Sequence, residues 1–139
     1  MAFEEGLQDR HKAEIWIPWS RFNQSESGLI VENEYAFKIA HYVVEYQREK
    51  AIWESIGLSI KKLIARNMHQ ILGRYLISPV DFVICWTPDG CEHYQDRRYS
   101  TGGTGYAIAA ASLLNIPVFN LYNSDGKSRL VHYMQGQTL

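Results

Sequence analysis

One stretch limits what this chain can fold into more than any other. Across residues 80–121 an apolar run, a polar loop, a glycine-rich turn, a small-residue helix and a second apolar run follow in order. Residues 80–86 (Val-Asp-Phe-Val-Ile-Cys-Trp) read as a buried strand, and Thr101-Gly102-Gly103-Thr104-Gly105 as a turn. Residues 106–115 read as a helix and 116–121 (Ile-Pro-Val-Phe-Asn-Leu) as the next strand. Two strands joined through a helix lie parallel with a right-handed crossover, so the strand ends and the helix start meet at one edge. Glycines there let backbone amides approach a ligand, and the positive end of the helix favours an anion. A phosphate is the expected guest, although glycines also serve ordinary turns.

Two further groups of residues fall near that edge. Thr87-Pro88-Asp89-Gly90 follows the first strand, and Asp89 offers an acceptor for a ribose or a base, while Pro-Asp-Gly is equally good turn chemistry. Arg66 and Asn67 sit near the end of a long helical pattern over residues 52–76, with apolar residues at steps of three and four. They reach the glycine turn if that helix packs beside it, and the planar fork of Arg66 suits a phosphate. Residues 91–100 form a polar loop over the same place, with Arg97 and Arg98 as candidates for a lid closing on an anion, or as solvated charges.

The rest of the chain supplies a frame. Residues 1–11 resemble the end of an amphipathic helix, residues 13–18 a strand closed by Pro18, and residues 19–33 an unusually long loop. A helix begins after Asn33, a plausible N-cap. Asn123-Ser124-Asp125-Gly126 signals a turn, residues 129–133 a short edge strand, and residues 135–139 a frayed end. The expectation is a single-domain α/β fold, with a Rossmann-like, mostly parallel sheet of about four strands flanked by helices.

Composition sets bounds on partners. The 139 residues, 46% of them apolar with 4 Trp and 9 Tyr, suffice for one packed domain and exclude a disordered chain. A formal charge of -1 and a pI near 6.5 provide no global field for nonspecific duplex DNA binding. No apolar run approaches the ~20 residues that span a bilayer, so no membrane partner is expected. Cys85 and Cys91 form no Cys-x-x-Cys pair and no secretory leader pattern opens the chain, so we expect reduced thiols and a cytoplasmic protein. Cys91 with His93 is too small a ligand set for zinc, and neither a metal nor another cofactor is expected. There is no Gly-x-Ser-x-Gly, no Walker lysine and no i, i+4 histidine pair, so no catalytic residue is assigned.

These motifs together resemble the SLOG superfamily, the Rossmann-like domains of the DNA-processing protein A and LOG (lysine decarboxylase-like) groups, and most closely its small phage-encoded members. Residues 80–121 carry the resemblance, together with Arg66-Asn67, Gln70-Ile71-Leu72-Gly73, and residues 13–19 running into Phe22-Asn23, so that it covers nearly the whole chain. It implies a nucleotide or nucleotide-derived ligand held by Gly102 to Gly105 and by Thr87 to Gly90. LOG phosphoribohydrolases carry Pro-Gly-Gly-x-Gly-Thr-x-x-Glu with a catalytic Glu. Aligned on Gly102-Gly103, this chain has Tyr106 at the Thr and Ala109 at the Glu, and a methyl group carries neither charge nor proton.

The family usually opens with a strand and a further glycine-rich loop running into a helix, and Ala2-Phe3-Glu4-Glu5-Gly6 resembles the middle of that helix. The chain therefore looks N-terminally shortened. Either the sheet re-pairs, or a partner supplies a strand, or the chain is a shortened product, and an exposed edge favours a homo-oligomer. Two alternatives accompany nucleotide binding. One is single-stranded DNA binding like that of DNA-processing protein A, since residues 48–74 hold Arg48, Lys50, Lys61, Lys62, Arg66 and Arg74 against Glu49 and Glu54. The other is hydrolysis of a nucleotide N-glycosidic bond by an unassigned carboxylate.

Overall fold

The computed structural model describes residues 8, 9, 12–48 and 51–137. Its main elements are β1 (Trp16–Ile17), β2 (Leu29–Ile30), α1 (Glu34–Glu45), α2 (Leu58–Leu72), β3 (Val83–Cys85), α3 (Thr104–Leu113), β4 (Val118–Asn120) and α4 (Gly126–Gln137). The class is α/β. The strands form two separate parallel pairs, β1 with β2 and β3 with β4, and not a single sheet of four. Only the pair β3–β4, with α3 between its strands in sequence, reproduces the expected βαβ unit.

Local sequence explains the helices. Asn33 Oδ1 accepts the Tyr35 amide at 2.8 Å and starts α1, whose Ala36, Ala40, Val43 and Val44 are buried on one face. Helix α3 is apolar almost all round, and Ala107 to Ala111 are buried together with Val43 and Val44 of α1 and Ile64 and Met68 of α2. Alanines leave so little side chain that neighbouring helices approach closely, which places the first turn of α3 beside α2.

Four expectations are corrected. The helix expected over residues 52–76 is a 3₁₀ turn, Trp53–Ser55, followed by α2. The Glu45 carboxylate takes the Trp53 amide at 3.0 Å, and Gly57, a poor helix former, stands at the N-cap of α2. Residues 19–33, expected as one loop, contain β2, held by register Trp16↔Leu29 and by Val31 N donating to Ile17 O at 3.2 Å. Residues 129–133, expected as an edge strand, lie within α4, which also includes residues 135–137 of the expected frayed end. The outer edge of β4 is closed by the Glu92 carboxylate, which accepts the Asn120 amide at 2.8 Å, while Tyr133 packs its ring 5.4 Å from that of Phe119. The amphipathic helix expected over residues 1–11 lies outside the described residues, apart from Gln8 and Asp9.

Candidate functional site

Helix α3 begins without help from any side chain. Gly103 is its N-cap with no side-chain bond, and no acid occupies its first turn. The amides of Gly105 and Tyr106 fold back onto Gly102 O (3.1 Å) and Gly103 O (3.3 Å), whereas those of Gly103 and Thr104 donate to no described group. Gly102 turns the chain into the helix at φ 72, ψ -161, a region only glycine enters without strain. Gly105 serves packing, because a Cβ there would stand 3.0 Å from Thr101 Cγ2. Two amides without a described acceptor stand at the positive end of a ten-residue helix, where partial positive charge is concentrated.

Helix α2 delivers Arg66 and Asn67 to this turn, as the sequence suggested. Asn67 is buried, and its Nδ2 donates to Gly103 O at 3.0 Å while its Oδ1 accepts from Arg66 Nε at 3.1 Å. The carboxamide on the apolar stripe is thus a tie between α2 and the glycine turn. Arg66 Nη1 donates to Trp16 O at 3.3 Å, its guanidinium lies 5.6 Å from the Phe22 ring, and Nη2 donates to no described group. Phe22 brings the long 19–28 connection to the site. Burial lowers the Arg66 pKa, and an arginine so placed remains a cation.

These residues line a cleft of about 740 Å³ together with Arg48, Arg97 and Arg98. Among the described residues the lining holds four arginines and neither an aspartate nor a glutamate. Among the described residues none of the four is in an ion pair with a carboxylate. Arg97 is half-buried and anchored, its Nε on Tyr94 O (3.0 Å) and its Nη1 on Val43 O (3.1 Å), so it is a strut of the wall more than the tip of a lid. Burial, then repulsion from Arg48, lowers its pKa. Arg98 is exposed at the rim beside Tyr99, whose side chain is fully exposed. Ile60, Leu63 and Tyr106 add apolar surface to the cleft.

Thr87 to Gly90 lie outside the lining of this cleft. The Asp89 carboxylate accepts from Thr87 Oγ1 (2.8 Å), Cys91 N (3.2 Å), Ser100 Oγ (3.3 Å) and the Thr101 hydroxyl. Those four donors fill its acceptor positions, so Asp89 braces the glycine turn where the sequence suggested a contact to ribose or base. Pro88 is exposed, and Gly90 sits at φ +68 against Asn123, whose Nδ2 donates to Gly90 O at 3.0 Å.

The chain matches no family model, no curated protein and no solved structure. The geometry of the cleft therefore carries the functional argument.

The brace has an anchor that the sequence did not mark. Asn120, completely buried at the end of β4, accepts from Thr87 N (3.2 Å) and Tyr122 N (3.1 Å) through Oδ1. Its Nδ2 donates to Thr87 Oγ1 (2.7 Å) and Cys91 O (2.9 Å). Hydrogen bonds thus run from Asn120 through Thr87 and Asp89 to Thr101, whose Oγ1 also accepts the Arg98 amide at 2.9 Å. A polar residue inside an apolar strand was the available signal, since such a group is costly unless bonded.

The Thr101 hydrogen bond, followed by those from Thr87, Cys91 and Ser100, lowers the Asp89 pKa from 3.8 to about 2. A lowered carboxyl pKa stabilises the fold above the unfolded value of 3.8, and that stabilisation is lost as pH falls through about 2. Asp89→Asn is expected to lower the urea midpoint at pH 6, and the gap from the parent protein is expected to close between pH 4 and pH 2. A gap independent of pH would show that the charge does not act in the brace.

Both cysteines are free. Burial, then Glu92 and Cys91, pushes the Cys85 thiol up to about 11, which keeps it protonated and poorly nucleophilic at neutral pH. Ala109 is completely buried in the core.

Proposed function

We propose that this chain binds a nucleotide or nucleotide-derived phosphate ligand in the cleft between α2 and the start of α3. One observation carries the proposal: among the described residues, four arginines and the free amides of Gly103 and Thr104 meet with no acidic side chain among them. Positive charge gathered without a carboxylate is costly to keep together unless an anion joins it. The phosphates belong at the amides and Arg66, and Tyr99 with the Ile60 and Leu63 surface suits a base. The motifs resembling the SLOG superfamily point to the same class of ligand.

Calorimetry against ATP, ADP-ribose, cyclic nucleotides and pyrophosphate at low salt tests this directly. Gly103→Ala provides the specific control. Gly103 has an ordinary helical φ of -62, and a Cβ there meets nothing within 4 Å, so the fold accepts alanine while a methyl group enters the ligand's place. The expected result is binding by the parent protein, weakened about tenfold (~1.4 kcal/mol) in the variant at unchanged melting temperature. Failure of a folded protein to bind any of these compounds would sink the proposal.

A single DNA strand presents the same phosphates and bases, and the exposed Tyr99 beside Arg98 favours it as a second possibility. A ten-residue oligothymidylate in the same titration separates the two. Oligonucleotide affinity far above that of every mononucleotide, falling steeply with salt, would favour the DNA strand.

A further inference from the structure

The two strand pairs turn open edges toward a common groove. Glu14 and Trp16 from the β1 segment, and Phe82, Val83, Ile84 and Cys85 from the β3 segment, line one groove of about 490 Å³. His69 and Ile71 of α2 and Ala107 of α3 line it as well. In a parallel ladder, alternate residues of a strand bond to the same neighbour. Val83 N bonds Pro117 O at 2.9 Å and Leu121 N bonds Cys85 O at 2.9 Å, so the β3 groups committed to β4 are those of Val83 and Cys85. The N–H and C=O of Ile84 point to the other edge and have no hydrogen bond among the described residues. On β1, Ile17 bonds toward β2, and the Trp16 amide is likewise free among the described residues.

A second, independent feature points to an occupant. His69 is only 3% exposed, its ring is stacked on Trp16 at 4.0 Å and 5°, and its Nε2 has no hydrogen-bond partner among the described residues. Nδ1 lies 3.1 Å from Gly73 O, which can only accept, so Nδ1 carries a proton and in the neutral ring Nε2 is a bare acceptor. A buried acceptor left unbonded costs stability and calls for an N–H or O–H donor.

A free N–H on β1, whose Trp16 carbonyl is held by Arg66, a free N–H and C=O on β3, and a bare acceptor beside them match one kind of guest. We infer that this groove takes an extended strand of a partner polypeptide, pairing with β1 on one side and β3 on the other and supplying a donor to His69. Each described strand is already paired within its own chain, so a described strand of a second copy could fill the groove only by breaking a pair of its own. The face of the guest that meets Ile71 and Ala107 must be apolar, with small side chains near Ala107. Peptides that extend a sheet by adding a strand gain affinity from main-chain bonds and specificity from alternate side chains. Thr104 lines both this groove and the arginine cleft, so the strand would lie next to the anion site.

The experiment uses the whole chain and a fluorescein-labelled peptide, acetyl-KVAVAVK-amide, with a twin N-methylated at its central residue so that one amide cannot donate. Fluorescence anisotropy should show saturable binding of the first peptide and at least tenfold weaker binding of the twin. Ile84→Pro should weaken binding by a similar factor, because proline removes an N–H that faces the groove and not β4. In histidine-labelled protein the His69 Nε2 nitrogen signal should shift on saturation. The N-methylated twin keeps the test decisive even if Ile84→Pro fails to fold. No binding by the parent protein, or equal binding of the two peptides, overturns the inference. A dimer that excludes the peptide also overturns it, in favour of a second copy.

Discussion

Asn120→Leu is expected to destabilise the fold by about 3–5 kcal/mol, among the largest effects a single substitution has. Leucine has the same branched heavy-atom skeleton as asparagine, but it leaves Thr87 N and Cys91 O, both buried, and the half-buried Tyr122 N without their partner. Each orphaned buried group costs roughly 1–3 kcal/mol, against a total of about 5–15 kcal/mol for a domain of this kind. Asn120→Asp should also destabilise at neutral pH, because a carboxylate lacks the two donors and would stand near the Glu92 carboxylate. Acidification should partly restore that variant, since a protonated carboxyl regains one donor. Urea unfolding at pH 7 and pH 5 measures both. A loss below 1 kcal/mol for Asn120→Leu would mean that the brace from β4 to the glycine turn contributes little.

Arg66→Ala is expected to weaken phosphate-ligand binding roughly 10- to 100-fold, the range of a lost charge-assisted hydrogen bond of about 1.5–3 kcal/mol. Arg66 is committed on one side, to Asn67 Oδ1 and Trp16 O, which fixes its fork with Nη2 left for a ligand. Arg66→Lys keeps the charge but loses the fork, so it should recover only part of the affinity. Because Arg66 also ties β1 to α2, its removal should lower the melting temperature. Arg98→Ala, at an exposed position on the rim, should reduce affinity more modestly and leave stability unchanged. Equal affinities for parent and Arg66→Ala proteins would separate the arginine cleft from ligand binding.

The structure divides the expected site in two. Gly102 to Gly105, Arg66, Asn67, Arg97 and Arg98 share one cleft, while Thr87 to Gly90 support it from outside. Spacing alone could not separate these roles. The carboxylate of Asp89 follows a strand end, as a ligand-binding acid does, but its lone pairs are taken by Thr87, Cys91, Ser100 and Thr101. Arg97 and Arg98 are adjacent in sequence, yet one is anchored to α1 and the other is exposed at the rim.

What the amino-acid order determined by itself is what local interactions decide. Asn33 capping α1, the 3.6-residue period of α2, the small-residue helix α3 and its glycine-rich start all depend on residues within a turn or two of one another. Tertiary structure decided the rest. The two-residue strand β2 exists because β1 lies beside it, a pairing too short to leave an alternating pattern. Residues 129–133 have β-branched and aromatic character, but Glu92 closes the β4 edge and Phe119 offers a ring for Tyr133, so packing overrides propensity and α4 forms. The arginine cleft belongs to the same category. Arg48, Arg66, Arg97 and Arg98 are scattered along the chain, and only the packing of α1, α2 and the 91–103 connection around the start of α3 brings their charges together, because Coulomb forces act through space and not along the sequence.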